Sequence, residues 1–152
     1  MYRGMFNEYP LPLECPVYVT QEQAEAFAKW RGKRLPTEPE FHRAAEHGTP
    51  CANVNFSGWD PVPVTADGAS NGSPAQMMGN GWEWTCTPFA PFEGFAPFPF
   101  YQNYSEPFFD GQHYVLKGAS PRTAACFLRP SFRNWFRPGY PYVYATFRLV
   151  DA

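Results

Sequence analysis

Apolar positions recur with a helical period in two stretches of the first third of the chain, and the rest of the pattern is that of short strands and loops. Residues 1–19 carry Pro10, Pro12 and Pro16, which disfavours helix, and Val17-Tyr18-Val19 reads as a short strand. Thr20-Gln21-Glu22-Gln23 is a capping box: the Thr20 hydroxyl can accept from the backbone of Gln23, whose amide can reach back. The helix it opens carries Ala24, Phe27, Ala28 and Trp30-Arg31 as an apolar stripe and stops at Gly32. A second box joins Thr37 to Glu40. Pro39 suits the first turn, and Phe41, Ala44 and Ala45 mark the buried side of a helix running to about Glu46.

Beyond Gly48 the helical period is lost. Residues 48–75 are Gly, Pro, Asn, Asp and Ser around Val54-Asn55-Phe56 and Val62-Pro63-Val64, which is the composition of loop. The Pro/Phe-rich span Thr87 to Phe100 is incompatible with a central strand and too aromatic for a free linker, so it is expected to wrap the core or line a cleft. The last third predicts strands at His113–Lys117, Phe132–Phe136 and Tyr144–Val150, with a bend at Gly118-Ala119-Ser120. No internal repeat or second domain is evident, so 1–152 reads as one domain with 1–16 as a lead-in.

Composition sharpens this picture in one respect. Charged residues are sparse at 17% while aromatics reach 19%, so aromatic side chains must form much of the core. A net charge of −2 gives no bulk reason to expect nucleic acid or an anionic membrane. No apolar run approaches a membrane span and Met1-Tyr2-Arg3-Gly4 lacks a signal-peptide core, so a soluble, cytoplasmic protein is expected. Cys15, Cys51, Cys86 and Cys126 show no C-x-x-C spacing; buried free thiols are the simple reading, with disulfide, metal or redox roles as alternatives. His42 and His47 lie five apart, roughly 140° around a helix, which argues against a shared metal.

The most informative stretch is Gly79-Asn80-Gly81-Trp82-Glu83-Trp84. Its glycines permit positive φ or close backbone approach, and alternation along a strand places Glu83 opposite the two tryptophans. A carboxylate so held needs a partner, which can be a cation, an arginine or backbone N–H groups.

Several motifs together resemble one family. Arg34-Leu35-Pro36-Thr37-Glu38-Pro39-Glu40-Phe41, Gly79 to Trp84, Lys117-Gly118-Ala119-Ser120 and Phe147-Arg148-Leu149 resemble, in order, the R-L-P-T-E-A-E-W, G-N-V-W-E-W, R-G-G-S and G-F-R motifs of formylglycine-generating-enzyme-like (sulfatase-modifying-factor) domains. Within that superfamily, Ala90 to Phe95, Tyr104 to Gly111 and Arg129 to Phe136 are similar to the C-terminal domain of EgtB-type sulfoxide synthases of ergothioneine biosynthesis. Those enzymes join a sulfur donor to hercynine, a trimethylated histidine, using oxygen and a non-haem iron. The resemblance implies an α+β, C-type-lectin-like fold with two early helices, a small twisted antiparallel sheet and many irregular loops.

It also implies a site. Asn134 and Trp135 match the pair that holds hercynine, the amide by hydrogen bonding and the indole by cation–π attraction. Apart from the resemblance, Arg122, Arg129, Arg133, Arg137 and Arg148 give the final third a basic bias; their planar forks suit small carboxylates, with Arg133 and Arg137 as the candidates, and surface pairing with Glu93, Glu106, Asp110 and Asp151 is the alternative. Tyr101, and Tyr104 as its near alternative, lie in the loop that carries a catalytic tyrosine. Glu83 with the carbonyls of Gly79 and Gly81 matches a structural Ca2+ site, of which one carboxylate supplies part. Arg148 is expected to be structural, paired to Glu83 or Glu38.

Departures shape the functional expectation. The family's iron ligands, three histidines on an N-terminal helical bundle with H-x-x-x-H-x-E spacing, have no counterpart among His42, His47 and His113, so Fe2+ would come from a partner domain or chain. Cys126 stands alone where copper-dependent formylglycine-generating enzymes use a cysteine pair. The segment before Gly79 is shortened, with Gln76 in place of an Asn or Asp, and Phe136 replaces an Asp that helps bind a γ-glutamyl-cysteine donor in some relatives, which favours plain cysteine or no donor. The expected function is the substrate-binding half of an EgtB-like sulfoxide synthase, inactive alone and taking an amino-acid-derived small molecule. The alternative is a non-catalytic lectin-like binding module.

Overall fold

Both capping boxes form. In the computed structural model, which describes residues 1–47, 53–64 and 74–152, Thr20 caps helix α1 (Gln21–Trp30): its hydroxyl accepts from Gln23 N–H and the Gln23 amide oxygen accepts from Thr20 N–H. Gly32 follows with φ +65°, the left-handed conformation that ends a helix. Strand β3 (Lys33–Arg34) leads to Thr37, which exchanges the same pair of bonds with Glu40 at the start of α2 (Glu38–His47). Ala24 and Ala28 of α1 are fully buried, whereas Phe27 and Trp30 are exposed: the expected stripe narrows to its small residues because α1 packs close to the sheet. On α2, Glu38 and Phe41 are buried.

The central sheet runs β6-β5-β4-β7. β4 (Gly81–Pro88) and β5 (Tyr114–Ala119) are antiparallel, β6 (Asn134–Phe136) continues antiparallel on the far side of β5, and β7 (Ala145–Thr146) runs parallel to β4. Trp82 and Trp84 project from β4 into a core with Leu35, Leu116, Val143 and Ala145. The Trp84 indole N–H donates to the Val19 carbonyl at 2.9 Å, tying the extended segment before α1 to the sheet.

Four expectations are corrected. Val17–Val19 joins no ladder strand; it is extended, and Val19 N–H bonds Ala145 O. The predicted bend at Gly118-Ala119 lies inside β5, which accommodates a φ of +82° at Gly118 because glycine has no Cβ; a side chain there would also crowd Met77 O at 3.1 Å. Thr87 and Pro88 end central strand β4 after a register shift past Trp84, where Pro88 needs no ladder N–H. The predicted Tyr144–Val150 strand splits into β7 and β8 (Val150–Asp151), which pairs with β3 in a separate small sheet. A hairpin of β1 (Tyr2–Arg3) and β2 (Glu8–Tyr9) was not signalled by pattern. Val54–Phe56 and Val62–Val64 are irregular, and the rest of the expected loop, 48–52 and 65–73, lies outside the described residues.

Candidate functional site

β6 is an edge strand, and its residues build the site. Asn134 pairs with Leu116 and Trp135 with Val115 across the ladder, which fixes their backbone on rigid β5. Trp135 stacks on Phe89 at 4.2 Å between centroids with planes 5° apart, and it meets Tyr104 edge-to-face at 5.5 Å. Tyr101 lies 5.5 Å from Tyr104, and Phe108 reaches Trp135 at 5.9 Å. Asn134 Oδ1 accepts from Trp135 N–H at 3.0 Å, and among the described residues its amide NH2 donates to nothing. A cavity of about 470 Å³ is lined by Tyr101, Tyr104, His113, Arg133, Asn134 and Trp135. The structure therefore brings Tyr101, Arg133, Asn134 and Trp135 together. A second cavity of about 330 Å³ adjoins it across Trp135 and takes in Phe89, Phe92 and Phe95, so the Pro/Phe-rich span lines a cleft.

Arg133 faces this site but is held from behind. Its guanidinium donates to Glu38 Oε2 at 2.9 Å and to Ala90 O at 3.0 Å, and lies over the rings of Phe92 and Phe89. Glu38, buried, also faces Lys117, whose ammonium donates to the carbonyls of Pro130 and Phe132 at 2.7 and 2.8 Å. Burial lowers the Lys117 amine to about 8, against the opposing pull of Glu38. His42 Nε2 lies 3.7 Å from Glu38 Oε1, and burial, then Lys117, lowers its imidazole. This Glu38–Lys117–Arg133 cluster locks the carbonyls just before β6; the sequence offered Glu38 only as an alternative partner of Arg148 and carried no signal that it meets Lys117 and Arg133.

Arg137 does not join the site. It lines a separate groove with Glu22 and Tyr140. Glu83 and Gly79 line a third cavity, of about 410 Å³, with Arg148. Arg148 binds both Glu83 carboxylate oxygens, at 2.5 and 2.6 Å, and burial raises the Glu83 carboxyl while these bonds pull it down. Gly81 sits in the ladder opposite Ala119, packed against Thr146 and Tyr18. Gly79 and Asn80 take positive φ, and the Asn80 amide bonds Val62 N–H, Val62 O and Gln76, which fixes the turn. A calcium ion would compete with a guanidinium already bidentate on Glu83, so these residues fit an internal ion pair better than a cation cage.

Metal chemistry elsewhere in the chain meets the same test. His113 is buried and bonds Asp110 Oδ1 at 2.9 Å, His42 and His47 lie on α2, and among the described residues no three His, Cys, Asp or Glu side chains converge to hold a metal. Cys15 and Cys86 are half-buried free thiols and Cys126 is exposed, against the expectation of burial; Cys51 lies outside the described residues. No described helix is long and apolar enough to cross a membrane.

The chain is 40% identical, over 92% of its length, to hercynine oxygenase of Mycolicibacterium thermoresistibile, of which it spans 36%. It is 34% identical, over 97% of its length, to ergothioneine biosynthesis protein 1 of Schizosaccharomyces pombe, of which it spans 20%. It therefore spans little more than a third of the first relative and a fifth of the second. The structure of PvdO from Pseudomonas aeruginosa superposes with a TM-score of 0.58 over 88% of this chain and 60% of that one, at 16% identity, a likeness of fold. The sulfatase-modifying factor enzyme 1-like domain family matches residues 10–58 and 52–152, and with a formylglycine-generating-enzyme-type α+β fold underneath that match, the chain belongs to this family.

Proposed function

We propose that this chain is the substrate-binding part of an EgtB-like sulfoxide synthase, corresponding to its C-terminal domain. It holds a trimethylated histidine at Asn134 and Trp135, while a helical-bundle domain or partner chain carries the non-haem iron. The observation that carries this reading is the Trp135 platform: an indole fixed by Phe89 and Tyr104 beside the Asn134 amide NH2, which donates to nothing among the described residues. An indole face attracts a quaternary ammonium by its quadrupole, and the amide can donate to a carboxylate or an imidazole nitrogen. The sequence likeness to hercynine oxygenase supports the substrate class. Iron, when supplied, would bring oxygen chemistry to the imidazole. The chain's own part is to bind and orient the substrate between the aromatic walls and to offer the hydroxyl of Tyr101, a 62% exposed residue of the cavity lining, as a proton donor.

Calorimetry with hercynine and with histidine tests this. Hercynine is expected to bind more tightly than histidine by about 5- to 30-fold, the worth of about 1–2 kcal/mol for one cation–π contact. Trp135→Ala is expected to remove the difference. Absence of hercynine binding, or equal binding of histidine, would sink the reading.

A second reading, a binding module without turnover, is favoured by one observation: among the described residues no three His, Cys, Asp or Glu side chains converge to hold a metal. Oxygen uptake separates the two. Hercynine-dependent uptake with Fe2+ and the iron-carrying partner supports the synthase, whereas binding with no uptake under those conditions supports the module.

A further inference from the structure

The groove that holds Arg137 has a volume of about 560 Å³, and it has no part in the reading above. It lies between the start of α1 and the turn after β6. Two backbone bonds fix that junction: Glu22 N–H donates to Pro138 O at 3.3 Å, and Tyr140 N–H to Arg137 O at 3.0 Å. The Glu22 carboxylate lies over the turn at Gly139, where a Cβ would sit in ordinary contact, 3.6 Å from both of its oxygens. Glu22 and Arg137 thus line one groove with opposite charges, yet among the described residues neither side chain makes an ion pair or hydrogen bond. Elsewhere the fold closes such pairs, as in Arg34–Glu40, Arg43–Glu46, Arg133–Glu38 and Arg148–Glu83. Here the Glu22 carboxylate and the Arg137 guanidinium, both on exposed residues, line one open groove with Tyr114 and Tyr140 as walls.

From this geometry we infer that the groove is a binding site for a free α-amino acid. The ligand's ammonium meets Glu22, its carboxylate meets the Arg137 fork in bidentate fashion, and its side chain runs along the tyrosines. Tyr140 stacks on Phe136 at 4.7 Å with planes 6° apart, and Phe136 lines the Asn134 cavity. One aromatic pair therefore partitions two neighbouring pockets, and an amino acid in the groove lies beside whatever occupies the first.

The inference stands apart from the hercynine reading, and an NMR titration of the full chain distinguishes them. L-Serine is expected to shift the backbone amides of Glu22, Gly139 and Tyr140 saturably, while hercynine reads out at the Trp135 indole. N-acetyl-L-serine, which lacks the ammonium, and L-serinamide, which lacks the carboxylate, are each expected to bind about tenfold more weakly or worse, as loss of one charge-assisted contact requires. Glu22→Gln and Arg137→Gln are expected to cause the same loss with the remaining spectrum unchanged, since both side chains lie outside the core. No saturable shift with L-serine at millimolar concentration, equal binding of the capped analogues, or unchanged affinity in both variants would overturn it.

Discussion

Glu83 shows what one residue can and cannot announce about itself. Its place between Trp82 and Trp84 on a strand already dictates a carboxylate held opposite two large rings, and the structure buries it to 4% exposure. Its partner is Arg148, which lies 65 residues away in sequence and takes both carboxylate oxygens. An uncompensated buried charge is far more costly than an absent pair, so Arg148→Met is expected to destabilise the fold by about 3–5 kcal/mol in denaturant unfolding. Because the guanidinium already satisfies Glu83, a chelator is expected to leave the melting temperature of the unaltered chain where it was. A clear fall on chelation would show instead that a cation completes the turn.

At the scale of elements, local rules succeed where the energy is local. The second capping box holds Glu40 by Arg34 at 2.6 and 2.7 Å as well as by Thr37, and the Arg34 bonds, first, draw the Glu40 carboxyl down from 4.5 to about 2. A carboxyl lowered on folding stabilises the native state above its ordinary value, and that contribution fades as pH falls through 4.5 toward about 2. The melting-temperature gap between the unaltered chain and Glu40→Gln is therefore expected to be widest near neutral pH and to close below about pH 2. The gap should be small and reduced by salt, because this pair is 41% exposed on each side. Strand ends fared worse. β5 runs through Gly118 and the final apolar run splits between two sheets, since pairing partners rather than propensity decide where a ladder stops.

At the scale of the whole molecule, the candidate site hangs on contacts that cross the chain. Glu38 from α2, Lys117 from β5 and Arg133 beside β6 meet in one buried cluster, which fixes the backbone leading into Asn134 and Trp135. Lys117→Met would leave two carbonyls and a share of Glu38 unsatisfied and is expected to cost about 3–5 kcal/mol, measured as a shift in the denaturant midpoint at constant slope. The sequence alone determined both helices with their caps, the alternation that sets Glu83 against the tryptophans, and the family likeness, because each rests on side chains a few residues apart or on ordered motifs. It also named Tyr101, Asn134 and Trp135. Tertiary structure alone decided that these three share a cavity, that Phe89 and Tyr104 brace the indole, that Arg133 is tied to Glu38, and that Arg137 faces a different groove with Glu22. Those contacts join residues tens of positions apart, where closing the loop, burying the charge and stacking the ring are settled together by packing, and no local pattern records the outcome.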